Sequence, residues 1–445
     1  MYHIQDYRQE RPVIPRPNGV RARGGATKGH LSSMLGHRAT RAAFGHVTAA
    51  RAFSAKAASA TSGALYMCGT GESHKLGLGD TKDRETPVLV EALADVPIAR
   101  VACGKYHSAA LTASGDVYAW GLGDSGQLGL GKTKAATPTK VEALSDIGVT
   151  QLSCGMYHTL ALTAGGEVYS CGFGGSFFSG AGGLGHGDRK QLDVPTKLAS
   201  FGSGEGKHVA TEVSAGGYHS VALDTEGTVW TWGRGEWGRL GHDDAADALE
   251  PEQVLGQLRS LGASEGAVRC AGTAQAGEGH TGALGADGLA YTWGRNEHWQ
   301  LGYEVVGLLN SGQSFDAQQS PLAVPIAGET AYEVKRFACG EQGTAVVLSD
   351  GSIYVWGMQR FFEPTRLPGT AALGAEVRDM QLGATHLALH TAEGKVFTFG
   401  SGTALGLAKA HRKSWELGEV TAHSFEEQEV LRIACGPHST AFIVQ

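Results

Sequence analysis

Charge is scarce in this sequence: Asp, Glu, Lys and Arg make up 18% of its 445 residues, below the roughly 25% of an ordinary soluble domain. That deficit argues against helical bundles and coiled coils, whose outer faces are filled with charged side chains. Hydrophobic residues at 42% and aromatics at 8% are in turn too many for a disordered chain. No run of 18 or more apolar residues occurs, so no segment reads as a membrane-spanning helix. The seven cysteines form no pair at the spacing of a zinc knuckle or a thioredoxin-type motif, which leaves metal and redox chemistry without an anchor. No strand-turn-helix carries a Gly-x-Ser-x-Gly nucleophile elbow. What the sequence has in excess is glycine, 67 residues, about twice ordinary usage and without the three-residue period of collagen. A turn-rich globular β protein remains.

Charge is also unevenly placed. Residues 1–62 hold ten Lys and Arg (Arg8, Arg11, Arg16, Arg21, Arg23, Lys28, Arg38, Arg41, Arg51 and Lys56) against Asp6 and Glu10, and no acid lies between Arg11 and Ser62. With the chain at −7 and this leader at +8, residues 63–445 are left with −15. An acidic body repels a nucleic-acid backbone, so direct nucleic-acid contact is not expected of it. The leader is rich in Ala, Arg, Ser and Thr, the composition of an organelle transit peptide. It resembles a mitochondrial presequence, with Arg51-Ala52-Phe53 before Ser54 similar to a processing site, and translation could begin at Met1 or at Met34. The alternative is a basic arm with no import role. The expectation is a leader over 1–62 and a folded body over 63–445, addressed to the mitochondrial matrix.

Two short signals alternate through the body. One is an apolar strand ending in an aromatic residue or Cys and then Gly, at Cys68-Gly69, Trp120-Gly121, Cys171-Gly172, Trp232-Gly233, Trp293-Gly294, Trp356-Gly357 and Phe399-Gly400. The other is a small-residue turn with Gly and usually His: Cys103-Gly104 to His107, Cys154-Gly155 to His158, Ala215-Gly216 to His219, Ala276-Gly277 to His280, Cys339-Gly340 to Gly343, Gly383 to His386 and Cys435-Gly436 to His438. Each occurs seven times, in a unit of about fifty residues. Within a unit, Val117 and Ala119 alternate with Tyr118 and Trp120, the period of a strand packed on both faces. A unit this small cannot bury both faces alone, and radial stacking of seven such sheets predicts an all-β, seven-bladed β-propeller. The chain begins and ends mid-unit: Gly63–Cys68 has a strand without its turn, and Leu431–Val444 a turn and strand without a successor. Pairing of these N- and C-terminal strands is predicted to close the ring.

The run Cys-Gly-x-x-His, then Leu-x-x-x-Gly-x-Val-Tyr-x-Trp-Gly, then Gly-x-Leu-Gly resembles the repeat of the regulator of chromosome condensation family over residues 63–445. The resemblance implies a propeller whose function sits in loops on one face. In the founding member, exchange of nucleotide on a small GTPase depends partly on acids in the turns just before the repeat histidines. Here the residues immediately before that position are Tyr106, Tyr157, Tyr218, Gly279, Gln342, Thr385 and Pro437, none acidic. Light-sensing members carry Gly-Trp-Arg-His-Thr runs, and none occurs here. Mitochondrial members imply a role with the mitochondrial ribosome, its rRNA maturation, or exchange on an organellar GTPase.

Recurrence decides how the histidines and cysteines read. A residue placed in every blade is placed by the fold, so His107, His158, His219, His280, His386 and His438 are expected to be buried turn-capping groups, and Cys103, Cys154, Cys339 and Cys435 small buried hydrophobes. Glycine-rich segments such as Gly121-Leu-Gly123 are followed by no helix, so neither a dinucleotide loop nor a phosphate loop is expected. No catalytic residue, cofactor or metal is assigned. The variable loops carry the candidate partner-binding residues instead. These are Phe177 and Phe178 in blade three, Arg234, Trp237 and Arg239 in blade four, Arg295 and Trp299 in blade five, and Phe361 and Phe362 in the divergent blade six. Tyr303–Ala327 reads as an insertion of helix or loop character. Protein subunits of a large mitochondrial assembly are the expected partners, with exchange on a GTPase as the alternative.

Overall fold

The computed structural model describes residues 62–131, 134–176, 180–254, 270–305, 317–326, 332–408, 413–425 and 428–445. The leader and its candidate cleavage site before Ser54, and the loop pair Phe177 and Phe178, lie outside the described residues.

Blade two shows how one repeat becomes a sheet. Its strands Ile98–Cys103, His107–Thr112, Val117–Gly121 and Ala135–Lys140 pair in sequence order, all antiparallel. The second strand is buried along its whole length, because each blade is covered on both faces by its neighbours. The Ser114-Gly115 turn joins it to the third strand, with Gly115 at φ 95°. The same four-stranded meander recurs to give seven sheets, and between the third and fourth strands of blade three sits a small extra hairpin, Gly175–Ser176 with Gly180–Ala181. The region expected to be a helical or looped insertion contains Ala317–Ala323, which pairs with Ala290–Arg295 as the outer strand of blade five. Its Ser320-Pro321 and polar neighbours mask the strand period, as they can in an edge strand.

Blade one closes the ring. Ala64–Gly69 pairs residue for residue with Ser439–Val444, from Ala64 opposite Val444 to Gly69 opposite Ser439. In blade two, His107 lies opposite Gly121. The register therefore puts Ser439, not His438, in the histidine slot, and the expected equivalence of His438 is corrected. His438 holds the position of Tyr106 in blade two, one residue earlier.

Blades are stapled to each other by that slot. Nε2 of His107, His158, His219, His280 and His386 meets the hydroxyl of Thr159, Ser220, Thr281, Thr344 and Thr440 in the next blade at 2.7, 2.9, 2.9, 3.0 and 3.0 Å. Each hydroxyl donates onward to a main-chain carbonyl, of Gln127, Gly183, Arg239, Gln300 and Ala404 respectively. With its one hydrogen so used, the hydroxyl accepts from the imidazole, which fixes the neutral Nε2–H tautomer. Two junctions lack the staple. Where blade six has Gly343, the hydroxyl slot of blade seven is Leu387, and Ser439 stands where blade one would bond Ser108.

The aromatic slot works the same way. Trp120, Trp232, Trp293 and Trp356 are all 0% exposed, and Trp120, Trp232 and Trp356 donate Nε1–H to the carbonyls of Lys75, Gly183 and Gln300 in the preceding blade. Inter-blade contact is so close at the turns that a Cβ on Gly155 would stand 2.4 Å from the carbonyl oxygen of Gly216 and 2.6 Å from the ring of His158. Gly155→Ala is expected to lower stability by about 3 kcal/mol through overpacking, read as a fall in the urea midpoint with an unchanged slope.

Candidate functional site

In every blade the turn from first to second strand and the loop from third to fourth strand emerge on the same side of the disc, since both follow strands running that way. This topology gathers the chain's variable residues on one face around the axial channel. The channel has a volume of about 320 Å³ and is lined by the first strands of the blades.

At its mouth on this face lie the residues two before the histidine slot: Lys105, Met156, Gly217, Glu278, Glu341, Ala384 and Pro437. Lys105 reaches across the axis, with Nζ 3.3 Å from Oε1 of Glu278 and 3.0 Å from Oε1 of Glu341. The two carboxylates hold the Lys105 ammonium above its ordinary pKa despite burial. Burial and the neighbouring Glu341 push the Glu278 carboxyl up, against the pull of Lys105. At the opposite end the channel wall carries Arg100, Gln151, Glu212, Asp379 and Arg432.

One residue further along each turn, aromatic rings form an arc. Tyr106 stacks on Tyr157 at 5.4 Å, and Tyr157 lies 5.8 Å from Tyr218, with Phe173 set edge-on at 6.4 Å from both Tyr157 and Tyr218. The guanidinium of Arg234 covers Tyr218 at 5.6 Å. Next in the arc, Trp237 is held between Arg239 at 4.6 Å and Arg295 at 4.3 Å, a geometry that favours the cation over the ring face. The arginines are also paired: Arg234 with Glu236 at 2.7 Å, and Arg295 Nε with Glu297 at 2.8 Å.

The sequence-predicted residues thus separate. Arg234, Trp237 and Arg295 form one half-buried cluster. Arg239 is 1% exposed and its Nε donates to the Glu236 carbonyl, so it is the floor beneath Trp237, not a contact residue. Trp299 and Phe362 make a second cluster, edge to face at 5.3 Å, and among the described residues Phe362, 63% exposed, is the most exposed large apolar side chain. Phe361 turns inward against Phe399 and Trp415 of blade seven, filling the space between its own blade and the next. The sequence reading missed two features. As sequence the tyrosines stand out only as uncharged, and their equivalence in three successive blades is the signal for a stack. Lys105, Glu278 and Glu341 share a position in the repeat, which is the signal that they meet on the axis.

Gly126-x-x-x-x-Gly131-Lys132-Thr133 does fit a phosphate-loop spacing. In the structure it is the Gly-x-Leu-Gly turn of blade two followed by the strand Ala135–Lys140, so no helix N-terminus is there to receive a phosphate. Lys132 and Thr133 themselves lie outside the described residues. Among the described residues no group of His, Cys, Asp and Glu could hold a metal ion, and no helix is long and apolar enough to cross a membrane.

The profile of the Regulator of chromosome condensation (RCC1) repeat matches residues 62–111, 114–162, 165–223, 226–284 and 287–347, more than half of the chain. The chain belongs to the regulator of chromosome condensation family. A second profile of this RCC1 repeat matches 98–127, 149–177 and 210–238, while the structure carries the repeat on through blades six, seven and one. The ultraviolet-B receptor UVR8 of Arabidopsis thaliana is 32% identical over 294 residues, 66% of this chain and 60% of the receptor. The RCC1 domain-containing protein RUG3, mitochondrial, of the same plant is 29% identical over 306 residues, 68% of this chain and 63% of that protein. The chain thus spans less than two thirds of each of these relatives. Yeast RCC1 (Prp20), solved bound to Kap60, superposes with a TM-score of 0.72 at 21% identity, covering 86% of this chain and 88% of that one, a likeness of fold.

Proposed function

We propose that this RCC1-type propeller is a non-catalytic docking component of a large mitochondrial assembly, in the first place the mitochondrial ribosome, reached through protein subunits. The observation that carries the reading is the arc of Tyr106, Tyr157, Phe173, Tyr218, Trp237 and Arg295 with the exposed Phe362 on one face. Stacked aromatics with arginine are what protein interfaces use as anchors, because they bury much area at little entropic cost. The mitochondrial address is supported by the composition of residues 1–62 and by the mitochondrial relative at 29% identity.

Density-gradient fractionation of mitochondria tests it. The chain is expected to migrate with a large particle, and Trp237→Ala with Phe362→Ala to release it to the mass of the free chain, 46.3 kDa less any leader removed on import, a loss of at least about 2 kcal/mol of binding for two anchors. A doubly substituted protein that still co-migrates places the contact elsewhere.

One observation favours the second reading, an exchange factor for an organellar GTPase. Glu278 and Glu341 stand in the turns before the histidine slot, two positions before it and not one. Both are already committed to Lys105. Accelerated release of labelled GDP from a matrix GTPase would move the weight to this reading.

A further inference from the structure

The channel mouth leaves one of its carboxylate oxygens without a hydrogen bond. Lys105 gives a single ammonium to two carboxylates and reaches only Oε1 of each. Oε2 of Glu341 has no hydrogen-bond partner although the side chain is 7% exposed, and a carboxylate oxygen left so costs its full desolvation. The nearby Lys75 acts on Glu341 through its charge, but its Nζ donates to the main-chain carbonyl of Lys105 at 3.2 Å and leaves Oε2 of Glu341 unbonded. A compact ammonium cannot satisfy both carboxylates fully. A planar guanidinium, with five donors in a fork, can take both oxygens of one carboxylate and still reach a second.

The surroundings favour such a group. Tyr218 stands next to the mouth, close enough for Glu278 and Lys105 both to act on its phenol, and its ring continues the stack of Tyr157 and Tyr106. Aromatic faces beside a carboxylate pair suit a flat cation. The −15 of the body draws cations toward it. Lys105 is on a long flexible stem at the open end of the channel and can yield its place to solvent.

We propose that the channel mouth is a receptor for an arginine side chain presented by a partner protein, which binds Glu341 and Glu278 in place of Lys105. This rests on the docking reading and names the chemistry of the residue at its centre.

The test uses the full chain and N-acetyl-L-arginine methylamide as probe, with the N-acetyl-L-citrulline methylamide as its neutral isostere, over roughly 1–50 mM as befits so small a ligand. Thermal unfolding is the readout. The arginine probe raises Tm in a saturable way and the citrulline probe does not. Glu341→Gln loses the response. Lys105→Met lowers Tm without probe, because two carboxylates lose their counter-charge, and binds the arginine probe at least about tenfold more tightly, the worth of one charge-assisted hydrogen bond. A gain of this kind cannot come from misfolding. Equal responses to both probes, or an unchanged half-saturation in Lys105→Met, overturns the proposal. The two readings fail separately. Co-migration with the particle that persists in Glu341→Gln removes the arginine receptor and leaves the docking face. Co-migration that ignores Trp237→Ala and Phe362→Ala, beside an intact arginine response, removes the docking face and leaves the receptor.

Discussion

Lowering the pH from 7 to 5 is expected to destabilise the propeller by several kcal/mol, mainly through groups other than its carboxylates. The cause is the ring of stapling histidines. Burial pushes the pKa of His107, His280 and His386 down to about 3 and that of His158 to about 4, and depresses His219 in the same direction. In the unfolded chain each returns to about 6.5. Between pH 6.5 and 4 the unfolded state therefore binds protons that the folded state refuses, and stability falls as pH falls through that window. Each histidine contributes a loss of about 2 kcal/mol between pH 7 and pH 5, and together they rival the 5–15 kcal/mol total of a typical protein. Geometry explains why the folded state refuses them. The Nδ1 atoms of His107, His219 and His280 are buried without a partner, so a second ring proton would be an unpaired charge in the core. Urea midpoints at pH 7, 6 and 5 read the effect. His280→Gln should cost stability at pH 7 by removing the bond to Thr344 and at the same time flatten the pH dependence by one histidine's share. A midpoint that stays level from pH 7 to 5 would contradict the neutral state assigned to the buried rings.

These histidines also show how much of the molecule could be read from its sequence. Their recurrence was enough to assign them to the fold, and the aromatic-glycine strand was enough to count blades, because both are set by local packing that each repeat must satisfy. Register was harder. The turn of blade one, Cys435-Gly436-Pro437-His438, is one residue short of the slot if its histidine is aligned by eye, and only the pairing of Gly69 with Ser439 shows which residue occupies it. The site was less legible still. Arg239 and Trp237 are two residues apart and look equally exposed as sequence, yet the positive φ of Trp237, 65°, turns the indole outward over a guanidinium that is buried. Lys105, Glu278 and Glu341 come from three separate blades, and their shared place in the repeat puts them at one end of the axis without announcing that the ring brings them within 3.3 Å. Contacts that depend on the closure of the ring can be inferred only after the ring is.

That closure is the second large effect. Removal of Ala434–Gln445 is expected to abolish cooperative unfolding altogether, leaving a protein with no sharp thermal transition and a strong tendency to aggregate. The deleted strand Ser439–Val444 is buried along its whole length and lies between Ala64–Gly69 and Val430–Gly436 in blade one, so its loss exposes two strand edges at once. Leu65, Met67, Ala441 and Ile443 belong to one core cluster with Ile98, Trp120 and Val149 of the following blades, so the damage is not confined to blade one. Thr440 also receives the histidine staple from blade seven and anchors the Ala404 carbonyl. Truncation alone, however, could fail merely by deleting core. A circular permutant separates the two causes. Joining Gln445 to Gly63 through a linker of about three residues turns the register partners Ala64 and Val444 into an ordinary hairpin, and the chain can be opened at the exposed Ala94-Asp95. Every strand is kept and only the non-covalent seam becomes covalent. The permutant is expected to fold with the parent's circular dichroism and an equal or higher Tm, since the loop-closure entropy of the seam is now met by a short turn. A truncated chain that melts like the parent, or a permutant that does not fold, would show that the seam is not what holds the ring.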